Sequence, residues 1–223
     1  MKNRLLCAIA FLFLPVCVQA HYLWIESDSG SEARIYFGEY NEGAREKAGG
    51  RLDERDHMEG QLVLADGSTS PLQFEKKPDH FLTHTGKPGW LLLTDLTNEV
   101  KDWTKSDIGI VKPMFYARAA VGDHPLAEAG PMLTLDIIPD AAQPRHFQVF
   151  FKGKPLAKAK VIVTAPNRWM QELQCDKEGR IEIQTPWPGR YVVEVIYKER
   201  APGEFKGVPY EAIRHRVTYS QNY

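Results

Sequence analysis

Short runs in which apolar and polar residues alternate, separated by glycine, proline or charged turns, make up most of the chain after residue 20. Two clear examples cover residues 33–38 and 133–138. A third run, 60–65, is followed by Asp66-Gly67, a pair common in the tight turn of a hairpin, so residues 69–74 are predicted to return as its partner strand. A period of two with frequent turns indicates half-buried strands and therefore an all-β protein.

The predicted strands fall into two groups, on either side of residues 140–144, whose sequence Asp-Ala-Ala-Gln-Pro is typical of a linker. Residues 21–140 are predicted to form an N-terminal β-sandwich. Residues 145–223 contain about six or seven short runs between Gly and Pro turns, which is typical of a small Greek-key sandwich. The predicted fold is therefore all-β, with two β-sandwich (Ig-like) units in tandem and a charged surface loop over residues 41–59.

Residues 1–20 have the pattern of a cleavable signal peptide. Lys2 and Arg4 precede an apolar stretch over residues 5–18, which is too short to cross a bilayer as a stable helix. Val18 and Ala20 then supply the small residues that signal peptidase requires before its cleavage site. The sequence thus predicts export to the periplasm and a mature chain that begins at His21.

Charge excludes two classes of partner. The chain has 28 basic and 29 acidic residues, and removal of the predicted leader, with its two basic residues, leaves 26 against 29 and a formal charge of −3. No strongly basic nucleic-acid binder and no polybasic membrane patch is therefore expected. No later apolar run approaches the roughly 20 residues of a membrane span, so we expect no direct membrane insertion of the mature chain.

Cysteine content and motifs argue against a disulfide scaffold and against the common enzyme classes. Cys7 and Cys17 lie in the predicted leader, which leaves Cys175 alone, without an intramolecular partner and most simply a packing residue. Few cysteines in an exported protein fit a Gram-negative periplasm. The sequence has no nucleophile elbow, zinc-protease helix, phosphate-binding loop or zinc-type cysteine pair. We therefore predict a protein that is not an enzyme.

The strongest chemical signal is the histidine that cleavage would place first. A terminal histidine offers an α-amine and an imidazole to one metal ion, and the two can close a chelate ring without help from the fold. Nickel, cobalt and copper favour such nitrogen donors. His21 is therefore predicted to bind a divalent transition metal ion.

A second ligand is harder to identify. His80 and His84 are four residues apart, which in a strand means the same face but a separation of about 13 Å at about 3.3 Å per residue. At most one of them is expected to join His21, and His84 is preferred because Gly and Pro over residues 86–89 allow a bend beside it. For both, a solvated histidine without a metal is the alternative.

Three segments of the C-terminal unit, residues 153–161, 176–180 and 186–191, resemble the carboxypeptidase-regulatory-like, or CNA-B-like, β-sandwich. Together with residues 36–40, 46–47, 112–113 and 116–117 and the predicted start at His21, they make the whole mature chain similar to the DUF4198 family. The resemblance implies a periplasmic β-protein of the kind assigned to cobalt and nickel uptake. It also implies a role for Glu39, within the family-like segment 38–40, as an oxygen ligand or as a group that orients one.

Three functions remain open at this point. The leading hypothesis is a periplasmic protein that binds nickel, cobalt or copper through His21, with His84 or His80 as the next ligand, and passes the ion to a membrane metal transporter. The second is a copper oxidase or oxygenase built on a histidine brace. The third is a structural or adhesion module without a metal, which predicts that His21 is buried or far from every other histidine.

Overall fold

The fold is all-β, as the sequence predicts. A computed structural model describes residues 21–28, 30–122 and 130–223. The predicted leader lies outside these residues, and so does His124, which the sequence offers as a further candidate ligand from a turn. The described chain forms short strands, two 3-10 helices (Arg51–Arg55 and Thr104–Ser106), and no α-helix. Among the described residues no helix is long and apolar enough to span a membrane.

In chain order the first ten strands are β1 (Tyr22–Ser27), β2 (Glu32–Glu39), β3 (Ala44–Arg45), β4 (Glu59–Val63), β5 (Thr69–Pro71), β6 (Glu75–Lys76), β7 (Phe81–His84), β8 (Gly89–Asp95), β9 (Lys101–Trp103) and β10 (Gly109–Val121). The remainder are β11 (Leu135–Pro139), β12 (His146–Phe151), β13 (Lys154–Pro155), β14 (Lys160–Thr164), β15 (Met170–Gln174), β16 (Arg180–Glu182), β17 (Arg190–Glu199), β18 (Gly203–Phe205), β19 (Val208–Tyr210) and β20 (Ala212–Asn222).

One long sheet, the central sheet, runs through the whole molecule. Its strand order is β15-β14-β17-β20-β10-β8-β4-β5, with β9 added beside β10. The 13-residue strand β10 lies in the middle, antiparallel to β8 and parallel to β20. Most of β10 is buried, because the central sheet is covered on opposite faces by two smaller sheets.

The front sheet (β1, β2, β3, β6 and β7) covers one face of the central sheet. Leu23 and Phe37 from the front sheet pack against Leu91, Leu93 and Ala117 of the central sheet in one apolar core. Leu91 and Leu93 are two positions apart in β8, as expected for a strand that turns one face toward the core. This core lies directly beneath residues 21–23, the start of the predicted mature chain.

The back sheet (β11, β12, β13 and β16) covers the opposite face. Its core contains Val149 from the back sheet together with Leu92, Tyr116 and Val193 from the central sheet. Leu92 lies between Leu91 and Leu93 in sequence but points the other way, so strand β8 contributes to both cores. The two sandwiches therefore share a sheet instead of following one another as separate bodies.

The division predicted at residues 140–145 falls inside the second sandwich. Strand β11, placed in the first unit by the sequence, pairs with β12, and residues 140–145 form the turn between them. The polar, proline-containing composition of a hairpin turn is the same as that of a linker, which explains the prediction. At the other end of the chain, β20 lies between β17 and β10 and joins the two halves.

The charged segment 41–59 is more ordered than a plain surface loop. It contains β3 and the first 3-10 helix, in which Leu52 is fully buried in the front core. Arg55 is buried too, and its guanidinium contacts the carboxylate of Asp95 at 2.6 Å. These two anchors fix the backbone of the helix beside the start of β1.

Candidate functional site

His21 lies at the edge of the front core, immediately before β1. Tyr22 is paired with Gly38 of β2, and alternation along the strand turns His21 toward the same side as Leu23. Its imidazole contacts the ring of Phe37, with 5.5 Å between centroids. Only 9% of the residue is exposed. The first residue of the predicted mature chain is therefore held by the fold and not free in solvent.

Three charged side chains surround this imidazole. Nε2 lies 2.5 Å from Oε1 of Glu46, and Nδ1 lies 3.3 Å from Oε1 of Glu39. Nη1 of Arg51 is also 3.3 Å from Nδ1. Because Arg51 is only a donor and Glu46 only an acceptor, the partners assign the proton to Nε2 and leave the Nδ1 lone pair as an acceptor.

Glu39 is the unusual member of this group. Its Oε1 is buried, and no donor among the described residues makes a hydrogen bond to it. The nitrogen 3.3 Å from it, Nδ1 of His21, is itself an acceptor in the neutral ring, so two acceptor atoms face each other. A buried carboxylate oxygen without a partner is unfavourable by several kcal/mol in general. Either a cation between the two atoms or a second proton on the imidazole would satisfy both.

Local sequence explains why the two carboxylates reach one ring. Strand β2 ends at Glu39, and the chain turns back through residues 40–43 into β3, so that the amide of Glu46 bonds to the carbonyl of Phe37. Gly38 permits this close return: its φ is +151°, and a Cβ there would lie 2.1 Å from the carbonyl oxygen of Ala44. The short hairpin thus carries Glu39 and Glu46 to opposite nitrogens of the imidazole.

The structure brings His21 and Glu39 together but does not bring His80 or His84 to them. His80 packs on Tyr36, with 5.4 Å between ring centroids, and its Nδ1 contacts Asp79 at 2.7 Å. His84 is exposed at the end of β7, opposite Glu32. In the same strand Phe81 enters the front core, so alternation turns His84 to the outer face of the front sheet. Both histidines are therefore on the side away from His21.

Side chains alone do not complete a metal site here. Within residues 21–28, 30–122 and 130–223, no group of three or more His, Cys, Asp or Glu side chains converges to hold an ion. Glu46 contacts the ring nitrogen opposite the one that faces Glu39, so a single ion cannot reach His21 Nδ1, Glu39 and Glu46 together. Two side-chain atoms, His21 Nδ1 and Glu39 Oε1, are close enough to contact the same ion.

Glu46 and Arg51 were not among the residues that the sequence singled out. Glu46 lies in the family-like segment 46–47 and Arg51 in the charged segment 41–59. Both are charged residues that the sequence shows plainly, but their contact with His21 depends on the β2–β3 hairpin and on the anchored 3-10 helix. Nothing in the spacing of the residues indicates that contact.

A second buried histidine, His215, belongs to a different environment. Its Nδ1 contacts the hydroxyl of Tyr116 at 3.0 Å and its Nε2 contacts Glu199 at 3.1 Å. Burial lowers the pKa of His215, although Glu199 acts in the opposite direction. The neighbouring arginines project to the other face of β20, with Arg216 over the ring of Tyr22. The positive charges of these arginines therefore lie on the opposite face of β20 from the imidazole. We assign His215 to packing.

Cys175 is a packing residue, as expected. It is buried in the core between the central and back sheets. Burial raises the pKa of its thiol to about 11, so it is almost entirely protonated at neutral pH. An inert, apolar thiol of this kind contributes to the core and not to chemistry.

Comparison with known families gives one match. The model of a family described as "Domain of unknown function (DUF4198)" matches residues 18–199. No curated protein matches the chain. The matched range includes the His21 hairpin and most of both sandwiches.

Proposed function

Because the chain belongs to the DUF4198 family, whose domain is described as one of unknown function, we propose a function from the His21 site itself. The protein binds one divalent transition metal ion, nickel, cobalt or copper, as cargo in the periplasm. The binding groups are the amine and Nδ1 of His21 and the carboxylate of Glu39.

The observation that carries the proposal is the pair of facing acceptors, His21 Nδ1 and Glu39 Oε1, 3.3 Å apart. Ligand atoms about 2.0–2.2 Å from one ion lie about 3.0–3.4 Å from each other at ordinary coordination angles. The observed separation therefore suits two ligands of a single metal ion. A cation there would also satisfy the otherwise unpaired oxygen of Glu39.

Removal of the predicted leader would add the third ligand. The amine of His21 would then be free, and amine and Nδ1 together close a six-membered ring around a metal ion. Two nitrogens and one carboxylate oxygen suit nickel, cobalt and copper. Glu46 would hold the Nε2–H, the outer contact that metal-bound imidazoles commonly make.

Delivery of the ion to a membrane metal transporter is the part of the proposal that rests on the family resemblance. A histidine-brace copper enzyme would need a second imidazole beside His21. The contacts of the His21 ring among the described residues are to carboxylates, an arginine and a phenylalanine. The binding role is therefore preferred to the oxidase or oxygenase role.

Burial of His21 favours a second candidate, a purely structural role. An imidazolium protonated on both nitrogens would bridge Glu39 and Glu46 without any metal, and would fasten the start of β1 to the β2–β3 hairpin. In that case the protein would have no affinity for transition metals at this site. Metal titration separates the two roles.

The test uses the chain prepared to begin at His21, with the start checked by intact mass. Nickel, cobalt, copper and zinc are titrated by calorimetry into this protein, His21→Ala and Glu39→Gln. We expect one equivalent of nickel, cobalt or copper to bind, His21→Ala to abolish binding and Glu39→Gln to weaken it by at least about ten-fold.

Glu32→Gln is the matched control, because Glu32 lies in the same strand as Glu39 but faces the outer side, opposite His84. It should leave the affinity within about two-fold of the starting protein. Equal affinities of the Glu39→Gln and Glu32→Gln proteins would remove Glu39 from the site. Absence of binding to the processed chain would leave the structural role.

A further inference from the structure

We infer that Arg51 is the resident cation of the His21 site: its guanidinium occupies the Nδ1 lone pair until a metal ion displaces it. This inference rests on the proposed metal-binding function and describes how that site is regulated. The observation behind it is the 3.3 Å contact between Arg51 Nη1 and His21 Nδ1, the nitrogen that the chelate requires.

The guanidinium of Arg51 also lies near a carboxylate of the site. Besides Nδ1, its Nη1 lies 3.8 Å from the carboxylate of Glu46, so it neutralises part of the negative charge at the site. A metal ion that binds Nδ1 takes the same lone pair. The guanidinium and the metal ion therefore cannot both contact Nδ1, and the metal ion can bind there only when the guanidinium leaves.

Arg51 can leave without disturbing the fold. Its side chain is 44% exposed, whereas the neighbouring Leu52 is fully buried and Arg55 is fixed to Asp95. The backbone of the 3-10 helix is thus anchored independently of the Arg51 side chain, whose guanidinium carbon lies 5.7 Å from the centroid of the Phe37 ring. A second acceptor is already near it, because Nε of Arg51 lies 3.9 Å from the exposed carboxylate of Glu54.

The consequence is an internal competitor that lowers the affinity for every ion that binds through Nδ1. An ion such as magnesium or calcium, which prefers oxygen ligands, gains little from Nδ1 and does not displace the guanidinium. Nickel, cobalt and copper form stronger bonds to imidazole and amine nitrogen and do displace it. Removal of the competitor should therefore raise the affinity for every ion that uses Nδ1.

The test compares Arg51→Gln with Arg45→Gln in the chain that begins at His21. Arg45 is a matched control: it is also an exposed arginine of segment 41–59, but it binds Glu26 and stacks on Tyr36 on the outer face of the front sheet. Each substitution removes one positive charge. Copper and nickel affinities are measured by calorimetry, and the visible absorption spectrum of the copper-loaded protein reports the ligand set.

We expect Arg51→Gln to tighten binding by about ten-fold, since a charge-assisted hydrogen bond to Nδ1 no longer has to be broken. Arg45→Gln should stay within about two-fold. The copper spectrum of Arg51→Gln should match that of the starting protein, because Arg51 is not a ligand. Tighter binding with an altered spectrum would contradict simple displacement.

Unchanged or weaker binding in Arg51→Gln, with His21→Ala still abolishing binding, would overturn this inference and leave the proposed function intact. Failure of both proteins to bind metal would overturn the proposed function together with this inference.

Discussion

At His21 the two carboxylates differ in what they can do, because each meets a different nitrogen of the imidazole. Oε1 of Glu46 lies 2.5 Å from Nε2, whereas Glu39 presents an unpaired oxygen beside the Nδ1 lone pair. Such a division of roles is common around metal-bound histidines. It makes Glu39 a ligand and Glu46 a positioning residue in the proposed site.

His215 allows a test of burial at the level of a single residue. Its native pKa is lowered by burial, so below the unfolded reference pKa of about 6.5 the unfolded chain binds a proton more readily than the folded one. The free energy of unfolding should therefore fall as pH drops from 7.5 through 6.5 to 5.5. His215→Gln should reduce this slope, as measured by urea unfolding at the three pH values.

The groups that face His215 are Tyr116, Glu199 and, beyond Glu199, Lys152. Glu199 titrates below this range because the Lys152 ammonium lowers its pKa, and burial raises the pKa of Tyr116 to about 12. Substitution of the exposed His84 by Gln serves as the control and should keep the original slope. Identical slopes for all three proteins would show that burial of His215 does not favour its neutral form.

The predicted cleavage site was enough to select His21 and the family resemblance to select Glu39, and the structure places the two side chains 3.3 Å apart. The sequence was not enough to reject His80 and His84. Their distance from His21 follows from which face of the front sheet each occupies, and the face depends on the register of β7 against β2. Glu46 and Arg51 were missed for a related reason: a 3-10 helix and a two-residue strand carry no strong periodic signal.

At the scale of strands, one buried ion pair joins the central sheet to the back sheet. Arg118 of β10 donates from Nε and Nη2 to the carboxylate of Asp136 in β11, and both side chains are fully buried. Asp136 also accepts the backbone amides of residues 132, 133 and 137. The pair therefore holds residues 132–137 against β10 and fixes the packing of the two sheets.

Arg118→Leu should lower the free energy of unfolding by about 3–5 kcal/mol, because it leaves the Asp136 carboxylate buried without its cation. Urea unfolding followed by tryptophan fluorescence measures the change. Arg34→Leu makes the same substitution in an exposed pair with Asp28 and should cost about 0–1 kcal/mol. Similar losses for the two variants would contradict the stabilising role assigned to the buried pair.

Strands themselves were largely predictable, because alternation of apolar and polar residues is a local property. Residues 33–38 lie in β2, and Asp66-Gly67 connects β4 to β5 as predicted. Strand order is not local. The polar turn 140–145 gave no sign that β11 and β12 pair with each other, and nothing in its own sequence places β20 beside β10.

For the whole molecule, the decisive feature is that two sandwiches share one sheet. Strand β20, from the end of the chain, pairs with β10 along nine registered positions and with β17 on its other side. The hydroxyl of Thr218 in β20 also donates to the carbonyl of Leu23 in β1. The front core, which supports His21, therefore depends on a strand that the sequence assigned to the other unit.

This sharing predicts a single unfolding transition. The chain beginning at His21 should unfold on heating in one step, with coincident curves from tryptophan fluorescence and far-ultraviolet circular dichroism, and with equal calorimetric and van't Hoff enthalpies. Two independent sandwiches would instead give two transitions. Residues 21–140 expressed alone should fail to give a stable fold, because β10 would lack its neighbour β20.

The central claim, that the chain binds a transition metal ion through the free amine and imidazole of His21, is tested most directly by moving the amine. Two proteins are compared by copper and nickel calorimetry: one begins at His21, and the other carries a single additional Ala before it. Their side chains near the site and their formal charge are the same. We predict that the added residue weakens binding by about a hundred-fold or more, because the chelate ring with Nδ1 is no longer formed. Equal affinities for the two proteins would contradict the account.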